Sequence, residues 1–187
     1  MNKKGKLVIM SAPSGAGKST ICEQVLRDFN KLKFSVSYTT RQVRGAEKDG
    51  IDYFFITADA FEKKIETGFW LEWAKVHDNY YGTSIDYINE NLNNGFSILL
   101  DIDVEGAIQI LEKYPESVTI FIMPPDMTEL RERLIKRGTD SIDTIDKRIK
   151  NAETEIAKKD LYKYIVVNDD LDAAVNETKS ILGKELL

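Results

Sequence analysis

A short segment near the start of the chain combines glycines, a lysine and a serine at a spacing that suits phosphate binding. It reads Ser11-Ala-Pro-Ser-Gly-Ala-Gly-Lys-Ser19, and it lies between an apolar run, Leu7 to Met10, and a helical pattern. The pattern Gly-x-x-x-x-Gly-Lys-Ser/Thr cradles a triphosphate. Ala12 stands where the first glycine is expected, so an ordinary glycine-rich turn remains the alternative. The order of strand, loop and helix predicts a site for a nucleoside triphosphate.

The residue types of this loop divide the work of holding the phosphates. Gly15 and Gly17 lack side chains, so backbone N–H groups can converge on phosphate oxygens at the positive end of the helix. Lys18 adds a mobile charge, and Ser19 offers a hydroxyl of the kind that holds Mg²⁺. The predicted triphosphate-binding residues of the loop are Ser14, Gly15, Ala16, Gly17, Lys18, Ser19 and Thr20.

Two acids follow a second apolar run. Asp101 and Asp103 come directly after Ile98-Leu-Leu100, which places Asp101 at the carboxyl end of a predicted strand. A metal-associated acid is expected there, beside a phosphate-binding loop, so Asp101 and Ser19 are predicted to share a Mg²⁺ site. Asp103 is near enough to serve either the metal or the substrate. The alternative is a solvated pair that caps the next helix.

Two arginines three residues apart follow a run of hydroxyls. Arg41 and Arg44 end the segment Ser35-Val-Ser-Tyr-Thr-Thr-Arg-Gln-Val-Arg44. Paired guanidinium groups grip phosphate oxygens through bidentate hydrogen bonds, and neighbouring hydroxyls can complete the binding site. A solvated basic turn is the alternative.

A carboxylate interrupts an aromatic and aliphatic run further along. Glu72, within Phe69-Trp-Leu-Glu-Trp-Ala74, is costly to bury unless it meets a donor, although alternation along a strand could also turn it to solvent. Tyr80-Tyr-Gly-Thr83 is predicted as a tight turn that brings a phenol and a hydroxyl behind this run. The single histidine, His77, has no partner cluster and is interpreted as a surface or structural residue.

The composition limits the class of protein. The chain of 187 residues is 42% hydrophobic and 30% charged, which is typical of one globular domain. A net charge of -5 argues against general affinity for nucleic acid or anionic lipid. Cys22, the only cysteine, cannot form an internal disulfide and is expected to be a small buried hydrophobe. No apolar run is long enough for a bilayer span or a signal peptide, so we expect a cytoplasmic protein with no membrane contact and no obligate protein partner.

The remaining pattern predicts the scaffold for these groups. Apolar runs that alternate with helical patterns indicate an open α/β architecture with a mainly parallel sheet. Ligands of such sheets gather at the carboxyl ends of the strands. The predicted core strands are Leu7–Met10, Ser97–Leu100, Val118–Ile122 and Tyr164–Val167, and the predicted core helices are Thr20–Phe29, Val104–Tyr114 and Leu171–Leu182.

Two segments break the alternation and are predicted to be insertions into the core. The first, residues 34–83, has strand-like runs at 34–38, 51–56 and 69–74 around a helix from Ala58 to Thr67. The second, residues 126–159, is a charged helical pair interrupted at Gly138-Thr-Asp-Ser141, where Ser141 is the expected N-cap.

Taken together, these motifs resemble those of guanylate kinases over nearly all of the chain. The matching segments are Ala12-Pro-Ser-Gly-Ala-Gly-Lys-Ser-Thr20, Ser37-Tyr-Thr-Thr-Arg41 with Arg44, Gly50-Ile-Asp-Tyr53, Glu72-Trp73, Asn79-Tyr-Tyr-Gly-Thr83, Leu100-Asp-Ile-Asp103, Arg137-Gly138 and Val167-Asn-Asp-Asp170. Alanine at position 12 is common in that family. The resemblance implies the P-loop nucleoside monophosphate kinase fold, with a five-stranded parallel core sheet flanked by helices, a small mixed α/β GMP-binding insertion and a helical lid.

The resemblance also implies boundaries and roles. A single domain, 1–187, would comprise a core of residues 1–33, 84–125 and 160–187, a GMP-binding region of residues 34–83 and a lid of residues 126–159. The GMP phosphate would bind Arg41, Arg44, Tyr53 and Tyr81. Guanine would be read by Ser37, Glu72 and Thr83, with Asp103 as a further candidate. The lid would supply Arg133, Arg137 and Arg148, of which Arg133 would bind ATP, and Asn168 would lie near the adenine.

The activity implied by the resemblance is phosphorylation of GMP, and of dGMP, by ATP with the help of Mg²⁺. Lys18, Arg44, Arg137 and Arg148 would be the catalytic residues. The attacking group is already an anionic phosphate oxygen, so no general base is needed. Two alternatives remain open: a guanylate-kinase-like module that binds proteins without catalysis, and a related kinase that acts on another monophosphate.

Overall fold

A computed structural model describes residues 4–76, 78–138 and 140–186, and the interpretation of His77 lies outside them. The strands are β1 (Leu7–Ser11), β2 (Leu32–Phe34), β3 (Tyr38–Thr39), β4 (Phe54–Phe55), β5 (Trp70–Val76), β6 (Asn79–Ser84), β7 (Ser97–Asp101), β8 (Val118–Met123) and β9 (Tyr164–Val167). The helices are α1 (Lys18–Asp28), α2 (Ala58–Glu66), α3 (Ile85–Asn93), α4 (Val104–Lys113), α5 (Met127–Arg137), α6 (Ile142–Ile156) and α7 (Leu171–Leu186), with a 3₁₀ turn at Lys159–Leu161.

The core is a five-stranded parallel sheet in the order β2-β7-β1-β8-β9, which confirms the predicted fold. Helices cover both faces, so the central strands read as unbroken apolar runs instead of alternating ones. Val25 of α1 and Leu182 of α7 pack on one face, and Ile88 of α3 and Ile110 of α4 pack on the other. The parallel arrangement brings the carboxyl ends of β1, β7, β8 and β9 to one edge.

A second, mixed sheet has the order β4-β3-β6-β5. Strand β3 pairs in parallel with β4 and antiparallel with β6, and β6 pairs antiparallel with β5. Helix α2 anchors to it through Phe61, whose ring stacks on Trp70 at 4.1 Å and on Tyr80 at 5.0 Å between ring centroids. This sheet lies within the predicted insertion, residues 34–83, whose boundaries remain a prediction.

Several local predictions were wrong. The run 34–38 is not one strand: Phe34 pairs with Leu99 in the core sheet, whereas Tyr38 pairs with Phe54 in the second sheet. The run 51–56 narrows to two strand residues because residues 48–52 form a turn. The predicted turn at residues 80–83 belongs instead to strand β6, which has partners on both sides, and helix α3 was not predicted.

The charged helical pair has the predicted form. Helix α5 ends at Gly138, which has a left-handed φ of 67°, and α6 begins after Ser141, whose side chain accepts a hydrogen bond from the backbone N–H of Thr144. Leu130, Leu134, Ile145 and Ala152 form a small separate core between the two helices. Within the described residues, no helix combines the length and apolar character that crossing a membrane requires.

Candidate active site

The glycine-rich loop turns sharply between β1 and α1. Gly17 is the N-cap of α1 with a φ of 92°, and Gly15 has a φ of 97°, a backbone region that L side chains rarely adopt. Among the described residues, no side chain caps α1. The first N–H groups of the helix are therefore available to an anion, and the helix dipole adds positive potential at the same point.

A buried asparagine forms a hydrogen bond to the backbone of the loop. Asn168 follows β9 and is 4% exposed, and its Nδ2 donates to the backbone oxygen of Ala16 at 2.7 Å. A methyl group at Gly17 would lie 2.2 Å from that nitrogen. In this structure the amide of Asn168 is hydrogen-bonded to the loop. Its expected position near adenine remains a prediction.

Lys18 is the first residue of α1, and its side chain reaches the carboxyl end of β7. Its Nζ is 2.5 Å from Oδ1 of Asp101 and donates to the backbone oxygen of Ile102 at 3.3 Å. The pairing of Met10 with Asp101 in the sheet places this acid beside the start of the loop. A positive charge on Lys18 is therefore held at the carboxyl edge of the core sheet.

Ser19 and Asp101 are the predicted ligands of Mg²⁺. Ser19 lines the loop cleft, and Asp101 lines the adjoining cleft and pairs with Lys18. The described residues contain no cluster of three or more His, Cys, Asp or Glu side chains suited to a metal. Mg²⁺ rarely uses such a protein cage, because it keeps several waters and binds one or two carboxylates together with substrate phosphates. One hydroxyl and one carboxylate beside a phosphate loop therefore suit this ion, and the assignment remains a prediction.

Arginines of the helical pair lie over the loop. Arg148 donates to Oγ of Ser14 at 2.9 Å and to Oδ1 of Asp140 at 3.3 Å. Arg133 pairs with Glu129 along α5 at 2.9 Å, and Arg137 is exposed. A cleft of about 570 Å³ lies between the glycine-rich loop and the helical pair. It is lined by Ala12, Pro13, Ser14, Gly15, Gly17, Lys18, Ser19, Thr20, Arg133, Leu134, Arg137 and Glu155.

A second cleft, of about 340 Å³, adjoins the first and shares Ala12 and Lys18 with it. It opens between the core sheet and the mixed sheet. Its remaining lining is Ser37, Tyr53, Glu72, Ala74, Val76, Tyr81, Gly82, Asp101, Ile102 and Asp103. The two clefts can therefore hold two ligands on either side of one lysine.

Glu72 is the buried acid of the second cleft. It is 6% exposed, and one carboxylate oxygen accepts a hydrogen bond of 2.6 Å from the hydroxyl of Thr83, which is fully buried. Burial raises the pKa of Glu72 to about 7, against a smaller opposing effect of the Thr83 hydrogen bond. The possibility that Glu72 faces solvent is thereby excluded.

Asp103 combines two of the possibilities that the sequence left open. It is the N-cap of α4, where Oδ1 accepts from the backbone N–H of Gly106 at 2.8 Å, and it also lines the second cleft. The helix-capping alternative therefore holds for this acid. A methyl group at Gly106 would lie 3.1 Å from Oε2 of Glu72, so the absence of a side chain leaves room for the acid.

The two predicted phosphate-binding arginines differ in their surroundings. Arg41 is 9% exposed, its guanidinium Cζ lies 5.3 Å from the ring centroid of Tyr53, and it forms an ion pair with Glu47. Arg44 is exposed. Neither arginine is part of the lining of either cleft, but Arg41 lies against Tyr53, which lines the second cleft. The described structure thus gathers Arg41, Tyr53 and Tyr81 but leaves the side chain of Arg44 at the surface.

Sequence reasoning missed three residues near these clefts. Glu47 pairs with Arg41, Glu155 lines the loop cleft, and Gly106 approaches Glu72. Gly106 carried a usable signal, since glycine inside a helix is unfavourable unless a close neighbour requires it. The two glutamates carried none, because an acid in a charged segment is usually solvated.

Comparison with known proteins gives a consistent picture. The family model of guanylate kinase matches residues 4–185. The guanylate kinase of Caldanaerobacter subterraneus is 47% identical over 185 residues, which is 99% of this chain and 90% of that protein. The guanylate kinase of Geobacter metallireducens is 48% identical over 185 residues, covering 99% and 91% respectively. The crystal structure of guanylate kinase from Anaplasma phagocytophilum superposes with a TM-score of 0.81 at 34% identity, covering 99% of this chain and 88% of that one.

Proposed function

Because the chain belongs to the guanylate kinase family, we propose that its two adjoining clefts bind ATP and GMP for direct phosphoryl transfer. The activity is ATP-dependent phosphorylation of GMP to GDP. ATP occupies the loop cleft, and GMP occupies the cleft between the two sheets. The bond from the γ-phosphorus of ATP to the β–γ bridging oxygen breaks, which releases ADP, as an oxygen of the GMP phosphate bonds to that phosphorus. dGMP is a second acceptor in this proposal, and the cytoplasm is the proposed location.

The observation that carries the assignment of the GMP cleft is the buried pair of Glu72 and Thr83. Guanine presents an N1–H and an exocyclic amine side by side, and one ionised carboxylate can accept both hydrogens. Adenine has an unprotonated N1 at the corresponding position, which a carboxylate repels. A mismatched buried hydrogen bond costs about 1–3 kcal/mol, so this site favours guanine. Ser37 and Asp103 line the same cleft and complete the proposed base site.

The proposed site for the phosphate of GMP lies beside Arg41. Arg41, Tyr53 and Tyr81 form this part of the proposed site, and Arg44 joins it once its exposed side chain turns inward. A guanidinium group provides paired N–H donors for phosphate oxygens, and phenols add single hydrogen bonds. The acceptor oxygen is thereby held toward Lys18, which both clefts share.

Transfer itself needs positioning and neutralisation of charge more than covalent chemistry. Lys18 and the loop N–H groups hold the ATP phosphates, and Arg133, Arg137 and Arg148 approach them from the helical pair. Closure of that pair excludes the water that would otherwise hydrolyse ATP. Mg²⁺, held by Ser19 and Asp101, would neutralise charge on the phosphates of ATP when bound.

A steady-state assay of ADP release with GMP, dGMP, AMP, UMP and CMP tests the proposal. We expect turnover with the guanine nucleotides only, and loss of that turnover when EDTA removes Mg²⁺. Preference for a different monophosphate would overturn the assignment of the acceptor. ATP binding without turnover of any of the five would indicate a binding module.

A further inference from the structure

We propose that Glu47 is a positioning residue for the acceptor phosphate, which acts by holding Arg41 in its binding orientation. The inference rests on the proposed function, because it concerns the same cleft. Glu47 lies in the loop between β3 and β4, and it is not among the site residues predicted from the sequence.

Both carboxylate oxygens of Glu47 accept hydrogen bonds from the guanidinium of Arg41. Nη1 donates to Oε2 at 3.0 Å, and Nη2 donates to Oε1 at 2.8 Å. The side chains are 9% exposed for Arg41 and 25% exposed for Glu47. This fork-to-fork geometry fixes the plane of the guanidinium as well as its position, which a single hydrogen bond would not do.

Counting donors shows what remains for a ligand. A guanidinium has five N–H groups. The two on Nη1 go to Glu47 and to the backbone oxygen of Gln42, the latter at 2.8 Å, and one on Nη2 goes to Glu47. The Nε–H and the second N–H of Nη2 lie on one edge of the planar group and are not bonded to Glu47 or Gln42. That edge can bind a second oxyanion in the same bidentate manner while Glu47 stays in place. Arg41 also forms a hydrogen bond with Tyr81, which belongs to the same proposed phosphate site.

The surroundings of Arg41 match that use. Its Cζ lies 5.3 Å from the ring centroid of Tyr53, and both Tyr53 and Tyr81 line the proposed GMP cleft. The pKa of the Arg41 guanidinium is raised, chiefly by its hydrogen bond to Glu47 and to a smaller degree by Tyr81. Glu47 therefore provides the permanent counter-charge of an arginine that is largely buried before any phosphate binds.

Glu47 also organises the loop that carries both proposed arginines. Oε2 accepts a hydrogen bond from the backbone N–H of Arg44 at 2.9 Å, and the N–H of Glu47 donates to the carbonyl oxygen of Arg44 at 3.2 Å. One carboxylate thus links the side chain of Arg41 to the backbone of Arg44. Loss of its charge removes the constraint on both arginines at once.

If Glu47 instead competed with the phosphate for Arg41, removing its charge would tighten GMP binding. Calorimetry of GMP, guanosine and ATP binding with Glu47→Gln separates the two. We expect the Kd of GMP to rise about tenfold, in keeping with the loss of charge-assisted hydrogen bonds. The Kd values of guanosine and ATP are expected to stay constant, because guanosine lacks the phosphate and ATP occupies the other cleft.

Three further variants make the test specific. Glu66→Gln removes the same charge from an exposed position on α2 and is expected to leave all three Kd values unchanged. Arg41→Lys removes the bidentate donor. Adding Glu47→Gln to Arg41→Lys is expected to weaken GMP binding by much less than the tenfold seen for Glu47→Gln alone, because most of the effect of Glu47 passes through Arg41. If Glu47→Gln does not fold, Glu47→Asp, which keeps the charge with a shorter reach, replaces it and is expected to weaken GMP binding in the same selective way.

Each contrary outcome has a distinct meaning. Tighter GMP binding by Glu47→Gln would show competition, and unchanged GMP binding would show no role. An equal loss for guanosine would show a general structural effect, so all three results overturn the inference. If the unaltered protein binds GMP no better than AMP, the proposed function fails instead, and this result is obtained before any variant is made.

Discussion

Asn168 and Ala16 are joined by a hydrogen bond of 2.7 Å between the side-chain Nδ2 and the backbone oxygen, although 152 residues separate them in the chain. The bond ties the end of the core sheet to the phosphate loop. It also sets the space around Gly17, because the same nitrogen lies 2.2 Å from the place that a Cβ at that residue would take. The conformation of the loop therefore depends on a residue far along the sequence.

Replacement of Asn168 by alanine should loosen this loop. The carbonyl of Ala16 would lose its buried partner, which costs about 1–3 kcal/mol in the free energy of unfolding. We expect weaker ATP binding together with a lower Tm, measured by calorimetry and thermal denaturation. Unchanged ATP affinity and Tm would contradict a supporting role for this bond.

Gly17→Ala tests the close approach of Gly17 and Asn168 by adding a side chain at Gly17. The new methyl group would meet Asn168 in the unaltered protein but not in Asn168→Ala, so the two substitutions should be non-additive. We expect Gly17→Ala to lower the free energy of unfolding by less in the Asn168→Ala background than alone. Strictly additive values would mean that only the left-handed backbone of Gly17, with its φ of 92°, resists the change.

Glu72→Gln is expected to separate acceptor recognition from ATP binding. The amide is nearly the same size as the carboxylate but offers one acceptor in place of two, so a guanine loses one hydrogen bond and faces an unpaired N–H₂ group. We expect kcat/KM for GMP to fall about 10- to 100-fold, whereas the Kd of ATP measured by calorimetry stays constant. An equal loss of ATP affinity would reject the proposed role of Glu72.

The raised pKa of Glu72 predicts how stability depends on pH. The unfolded chain releases this proton near the ordinary value of 4.5, whereas the folded protein keeps it up to about 7. The folded state therefore binds more protons between these values, and the free energy of unfolding falls by about 3 kcal/mol as pH rises from 4.5 to 7. Denaturant titrations should show this fall in the unaltered protein relative to Glu72→Gln, in which the group no longer titrates. A constant difference between the two proteins across this window would contradict the raised pKa.

The same ionisation predicts a trend in acceptor binding. Only the carboxylate form accepts both guanine hydrogens, so the KM for GMP should decrease as pH rises through about 7. Thr83→Val removes the hydrogen bond that lowers the pKa of Glu72 and should move this transition to higher pH. A transition that Thr83→Val leaves in place would assign it to a different group.

Two arginines of α5 provide a matched pair for the lid. Arg137 lines the loop cleft, whereas Arg131 forms an exposed ion pair with Asp146 at 2.6 Å. Arg137→Ala should lower kcat about 100-fold, as loss of one preorganised charge at a transition state does. Arg131→Ala should leave kcat unchanged and lower the free energy of unfolding by at most about 1 kcal/mol, because exposed ion pairs contribute little. Similar kcat values for the two variants would exclude a catalytic role for Arg137.

Much of the core could be predicted from the sequence because its signals are local. The run Leu7–Ser11 is apolar throughout, since both faces of its strand are covered, and the glycines that follow it mark the turn into α1. The mixed sheet was harder to predict. Strand β6 contains Tyr80-Tyr-Gly-Thr83, which is typical of a turn, and only its two partner strands hold it extended.

By itself, the sequence determined the phosphate loop, the parallel core and the identities of the charged groups, since these depend on spacing over a few residues. Only the tertiary structure decided that Glu72 is buried against Thr83, that Glu47 holds Arg41 and that Asn168 supports Ala16. Whether a carboxylate is solvated or enclosed depends on which strands and helices pack around it. That packing joins residues distant in the chain, and no local pattern of residue types records it.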